Sequence, residues 1–213
     1  MYIPHLVFLS EPQIFQSDLS TCMDYFRGEY SFTLNSEDSN DPDIALLKTK
    51  SKGGTLAMWR QSLDPFVTII HVDTSALLPV LLEVPNFQPS IHIGLYLPTA
   101  GKETEYLMEL SKLSVLLDDL DKRFPTAAIF IRGDANSSQS NQNRHALLTS
   151  FCQNHMFNRV TLGHNTYHHF MGAGKSDSEL DVLLYSSQSC VREDVLCIEC
   201  KQLQPLVILI MIS

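Results

Sequence analysis

A mixed α/β sandwich with helices on the outside is the fold this chain encodes, on three observations. Short apolar, β-branched runs outnumber helical ones. The helical segments fall between groups of such runs rather than in one block. The clearest helix, Lys102 to Phe124, leads through Pro125 directly into the most buried run, Ala127 to Ile131. Bulk composition agrees. The chain has 213 residues, 44% of them hydrophobic and 18% charged, as expected of one or two globular domains. The net charge of −9 carries no basic footprint, which argues against a clamp that grips nucleic acid regardless of sequence.

The elements follow in order. His5 to Leu9 reads as a buried strand with Glu11 at its tip, and Leu19 to Tyr25 as a short helix behind Ser17 or Asp18. Asn35 to Asp43 is a polar acidic loop whose carboxylates are expected to be solvated. Gly53-Gly54 turns into a strand over Thr55 to Trp59. Phe66 to Val72, Leu77 to Val84 and Ile91 to Leu97 are further strands, the last stopping at Pro98 with Tyr96 near its end. In the long helix, Leu107, Leu110, Leu113, Leu117, Leu120 and Phe124 form one apolar stripe, and Asp118, Asp119 and Asp121 lie outside it. Asn143 to Met156 is a second amphipathic helix. Thr166 to Phe170, Leu180 to Tyr185 and Val195 to Cys200 are late strands.

Chemistry is expected where these strands end. The run Ala127 to Ile131 stops at Arg132-Gly133-Asp134-Ala135-Asn136, which sets a carboxylate and an amide side by side above a rigid strand. The alternative is an Asx turn, with Asp134 and Asn136 only capping backbone groups. Glu11 also follows a buried run directly, and Asp181 precedes one. Carboxylates and an amide at strand ends suit magnesium, a hard cation that takes oxygen ligands and keeps its waters. With a phosphate present, such a site implies metal-assisted phosphodiester hydrolysis.

The five cysteines form no disulfide framework, and Cys197 and Cys200, although spaced CxxC, lack a second pair and read as plain thiols. A reducing, intracellular location, nuclear or cytoplasmic, is the expectation. Met1 to Ser10 lacks the basic start and cleavage site of a signal peptide. The apolar run Leu206 to Ile212 is too short to span a bilayer.

Six stretches, in order from Pro4 to Tyr185, resemble the endonuclease/exonuclease/phosphatase superfamily, and more narrowly the endonuclease domains of LINE-type retrotransposons. They are FLSEPQIF, KGGTLAMW, IGLYLPTAG, FIRGDANSS, HNTYHHF and SDSELDVLLYS. The resemblance implies a four-layer α/β/β/α sandwich of the DNase I-like type, occupying residues 1–200. It implies magnesium, or manganese, held by Glu11. Asp134 would activate the attacking water, Asn136 would hold a phosphate oxygen and Asp134 in place, and Tyr96 would lie near the scissile phosphate. Asp181 would orient a catalytic histidine, while Thr166 and Ser178 would contact substrate. DNA is the implied partner, with no membrane and no small-molecule cofactor.

Two parts of the family pattern are missing: an opening Asn-bearing strand and a closing Ser-Asp-His or Ser-His-His-Asp segment. Residues 201–213 instead read as an aberrant apolar tail. Codons for Asn-Ser-His-His-Asp-Ile-Ile, AAT TCT CAT CAT GAT ATC ATA, give Ile-Leu-Ile-Met-Ile-Ser once the first base is dropped. Those are Ile208 to Ser213 as they stand. We therefore hypothesise a frameshift through the closing motif; coding DNA whose alternate frame lacks the His-His-Asp string rules it out. Impaired hydrolysis is the resulting expectation. The alternatives are an inactive fragment with weak nucleic-acid or protein binding and, behind both, a phosphoester phosphatase.

Overall fold

The computed structural model describes residues 5–26, 28–39, 43–48, 51, 53–137, 141–160, 167–171, 174–178, 181–186, 195–198 and 207–210. In 167–171, 174–178, 195–198 and 207–210 this description covers the backbone. The elements are β1 (Leu6–Ser10), α1 (Leu19–Met23), β2 (Tyr30–Asn35), α2 (Asp43–Leu47), β3 (Thr55–Arg60), β4 (Val67–Ile69), β5 (Leu77–Leu82), β6 (Ser90–Tyr96), α3 (Glu103–Arg123), β7 (Ala128–Asp134), α4 (Gln142–Asn154), β8 (Phe157–Arg159), β9 (Tyr167–Met171), β10 (Gly174–Ser178), β11 (Asp181–Ser186), β12 (Val195–Ile198) and β13 (Val207–Ile210).

The strands build two large sheets and a hairpin. One sheet runs β12-β13-β1-β3-β2 and the other β4-β5-β6-β7-β11-β8, while β9 pairs with β10. Among the described residues all pairings are antiparallel except β6 with β7, the pair that α3 connects. That exception follows from chain length: a parallel neighbour needs a crossover, and a 21-residue helix provides it.

Three apolar clusters hold the layers together. Leu6, Phe8, Ala57 and Trp59 of the first sheet pack against Leu78 and Val80 of the second. The other face of the second sheet, with Ile91, Ile93, Leu95, Ile131, Val182 and Leu184, packs on Tyr106, Leu110, Leu113, Leu117 and Leu120 of α3 and on Leu148 and Phe151 of α4. The outer face of the first sheet buries Val7, Tyr30 and Met58, with Phe32 beside them. Phe26, just after α1, stacks tilted on Phe32 at 6.0 Å.

The α3 stripe differs from expectation by one residue. Leu107 is 48% exposed, and Tyr106, fully buried, takes its place. Positions 106, 110, 113, 117 and 120 keep alternating steps of four and three; 107 lies about 100° round the helix.

Two segments depart further from the sequence reading. Asp38 is buried, not solvated: its carboxylate accepts from Gln16 N at 2.9 and 3.0 Å and from Ser36 Oγ at 2.5 Å. Two donors replace the water it loses. Within residues 201–213, set apart above as a tail, the backbone of Val207–Ile210 forms β13, antiparallel to β1 with Phe8 opposite Ile208. An uncharged β-branched run readily adds to an unpaired strand edge, which is the physical reason for this difference.

Candidate active site

Strand register assembles the site. Asp134 lies opposite Tyr96 on one side and opposite Asp181 on the other. Residues in register share a face, so the three form one rung at the end of the second sheet. Two residues along each strand, Gly94, Arg132 and Leu183 form the next rung. Phe8 of the first sheet lies against that rung: a Cβ on Gly94 would be 2.7 Å from its ring. The Tyr96-Asp134-Asp181 rung therefore looks toward the first sheet, where Glu11 follows β1.

Ser10 rivets the two sheets at this point. Its buried hydroxyl donates to Leu95 O at 2.9 Å and accepts from Asp134 N at 3.2 Å. Glu11, the next residue, has φ 53, and its N–H donates to Gly54 O at 2.9 Å. A non-glycine residue in the left-handed region costs about 1 kcal/mol or more. Here the turn brings the Glu11 carboxylate close enough to the Tyr96 phenol for its charge to act on it. Gly53 makes room for the phenol: its φ is 66, and a Cβ there would meet the Tyr96 ring at 3.0 Å.

Gly133 is a second glycine required by contact. At φ 136, a Cβ would approach Leu95 O to 2.0 Å and Ser10 Oγ to 2.6 Å. Asp134, beside it, accepts Asn136 N at Oδ1, 2.7 Å. This is the Asx turn that the sequence offered as the alternative to chemistry, and it leaves Oδ2 for other use. Asn136 itself has φ 45, which Asn tolerates. Its Nδ2 donates to Leu97 O at 2.7 Å, so Asn136 holds Asp134 through its backbone and spends its side chain on the neighbouring loop.

The electrostatics are those of crowded acids. Burial first, and then the Asp181 and Glu11 charges, push the Asp134 carboxyl up to about 8, against the pull of Asn136 N–H and Arg144. Burial and the Glu11 carboxylate drive the Tyr96 phenol well above its ordinary range, which keeps it protonated as a donor. A positive charge between these carboxylates relieves the repulsion. Hard oxygen donors at a rim fit a magnesium or manganese ion in the manner such ions prefer, with one or two carboxylates and retained waters. Among the described residues no group of three or more His, Cys, Asp or Glu is placed to enclose a metal.

Glu11, Tyr96, Asp134, Asn136 and Asp181 thus meet at one rim. Ser178 ends β10, with its backbone opposite Tyr167. Thr166 lies outside the described residues. Sequence reasoning missed Ser10 and Arg144. Arg144 has a visible signal: together with Leu148, Phe151 and Cys152 it occupies the buried stripe of α4, an improbable place for a charge without partners.

The same architecture recurs in solved structures. The endonuclease domain of TRAS1, a telomere-specific non-LTR retrotransposon, superposes with a TM-score of 0.62 at 11% identity, covering 92% of each chain. TDP2 from D. rerio, complexed with single-strand DNA product, gives 0.60 at 14% identity, covering 96% of this chain and 84% of that one. The human Nocturnin catalytic domain, with a bound sulfate anion, gives 0.60 at 11%, covering 96% and 80%. No protein-family model and no curated protein matches the sequence. The chain therefore has the DNase I-like fold that these structures share. Among the described residues no helix is long and apolar enough to cross a membrane.

Proposed function

We propose that this chain is a metal-dependent phosphodiester hydrolase acting on DNA inside the cell, with its rate held low. The observation that carries the reading is the rung Tyr96-Asp134-Asp181 with Glu11 folded onto it, residues up to 170 positions apart that converge on one rim. Magnesium or manganese bound by Glu11 would supply Lewis acidity toward a phosphate oxygen. The chain's own groups do the rest. Asp134, in its carboxylate form, would take a proton from the attacking water through Oδ2 as the P–O ester bond breaks and the leaving oxygen takes a proton from solvent. Tyr96 donates to a phosphate oxygen. Asp181 adds negative potential beside Asp134, and Asn136 fixes the Asp134 rotamer. Thr166 and Ser178 are proposed substrate contacts.

The rate is expected to be low because, among the described residues, no group of three or more His, Cys, Asp or Glu is placed to enclose a metal ion. The same observation favours a second reading, an inactive domain that binds nucleic acid weakly. Supercoiled-plasmid relaxation separates the two. Slow magnesium-dependent nicking, abolished by Asp134→Ala, supports hydrolysis. Absence of nicking with either metal at high protein concentration, or nicking that survives Asp134→Ala, overturns it.

A further inference from the structure

Arg144 is fully buried near the start of α4, and every nitrogen of its guanidinium is used. Nε donates to Glu103 Oε2 at 2.9 Å. Nη1 donates to Pro98 O at 2.6 Å and to Asn136 O at 3.2 Å, and Nη2 to Thr99 O at 2.8 Å. The flat face of the fork lies over the Tyr106 ring at 4.3 Å. These backbone acceptors come from two short segments. One leaves β6 directly after Tyr96, and the other leaves β7 directly after Asp134. The two segments are also tied to each other, by Asn136 Nδ2 to Leu97 O and by Leu97 N to Asp134 O at 2.9 Å.

We infer that Arg144 is the positioning residue of this site: one guanidinium pins both loop segments to α4 and so fixes Tyr96 and Asn136 relative to Asp134. Its functional meaning rests on the hydrolase reading above; its geometric content does not. Arg144 grips the two loop segments through their backbone carbonyls, and Glu103 holds its Nε. A planar fork reaches four acceptors in different directions. A lysine ammonium, with a single nitrogen, cannot span them, although it keeps the charge. A fold-wide stabiliser would bond within sheets or across the core, whereas Arg144 bonds where the chain leaves them.

The test is residue-resolved amide hydrogen exchange on the full chain and on Arg144→Lys, Arg144→Met and Glu103→Gln, with Mn2+ affinity measured in parallel. In the two Arg144 variants the Leu97 and Asn136 amides are expected to lose about tenfold or more in protection, while β5 amides keep theirs. Mn2+ affinity is expected to fall about tenfold, the usual scale for losing a group that orients a site. Glu103→Gln is expected to reproduce the pattern more weakly, and it decides the matter if Arg144→Met fails to fold. Unchanged protection at 97 and 136, an equal loss in β5, or full rescue by lysine overturns the proposal. Absence of Mn2+ binding by the unaltered chain counts against the hydrolase reading, and the exchange result still judges Arg144.

Discussion

Arg132 and Arg144 are equally buried, each with its guanidinium over an aromatic ring, Phe8 at 4.8 Å and Tyr106 at 4.3 Å. Their surroundings differ completely. Arg144 reaches three carbonyls and a carboxylate. Among the described residues Arg132 meets one hydrogen-bonding group, His92 Nδ1, and its Nε and Nη1 have no hydrogen-bond partner. Local architecture explains the contrast. Arg132 projects between two sheets, where ladder bonds already use the strand carbonyls. Arg144 sits where β6 and β7 end and the chain offers carbonyls that no ladder claims. Burial of a charge is useful at the rim and costly two residues below it.

The largest expected effect sharpens this contrast. Arg144→Met strands the carbonyls of Pro98, Thr99 and Asn136. At about 1 kcal/mol each, the loss is about 3 kcal/mol. For a chain of this length that lowers Tm by about 6–12 °C, measured by thermal denaturation. A change within a degree would remove Arg144 from the elements that hold the rim.

These two arginines also mark where sequence reading stopped. The strand ends at Glu11 and Asp134 were legible because a short apolar run that stops at an acid needs no partner to be recognised. The long helix was legible from its stripe. Register was not legible: nothing in SELDVLLY says that Asp181 lies opposite Asp134 rather than a residue away, because register emerges from pairing. Tyr30–Asn35 was missed although Tyr30, Phe32 and Leu34 alternate, because polar neighbours on both sides hid a short run. Asp38 read as solvated because its donors, Gln16 and Ser36, are ordinary polar residues whose placement depends on the fold.

An intermediate effect comes from pH. The Asp134 carboxyl in the folded chain, at about 8, lies above the ordinary 3.8. The native state therefore keeps a proton that the unfolded chain releases. This contribution to stability is complete below about pH 4 and is lost as pH rises through 8. Asp181 and Tyr96 face Asp134 from the neighbouring strands, Glu11 from the turn after β1, and Arg144 from α4. Metal-free urea denaturation should show stability falling from pH 5 to pH 8, less steeply in Asp134→Asn, with magnesium restoring part of the loss at pH 8. An identical slope in Asp134→Asn would remove Asp134 as its source.

The smallest effect belongs to Arg132. Burial lowers its guanidinium to about 9, and burial followed by the Arg132 charge pushes His92 well below its usual range. The His92 ring is therefore neutral, with Nδ1 accepting from Arg132 and Nε2–H donating to Ser90 Oγ at 2.9 Å. Arg132→Met removes two unpartnered nitrogens and a buried charge, which favours the folded state. It also deprives His92 Nδ1 of its donor, at about 1 kcal/mol. These terms oppose each other, so stability is expected to stay within about 1 kcal/mol of the parent or to rise, as when buried charges give way to apolar residues of similar size. A loss as large as that of Arg144→Met, read from the same denaturation curves, would show that Arg132 holds the two sheets together through its Phe8 and His92 contacts. The contrast between rim and inter-sheet core would then fail at its weaker end.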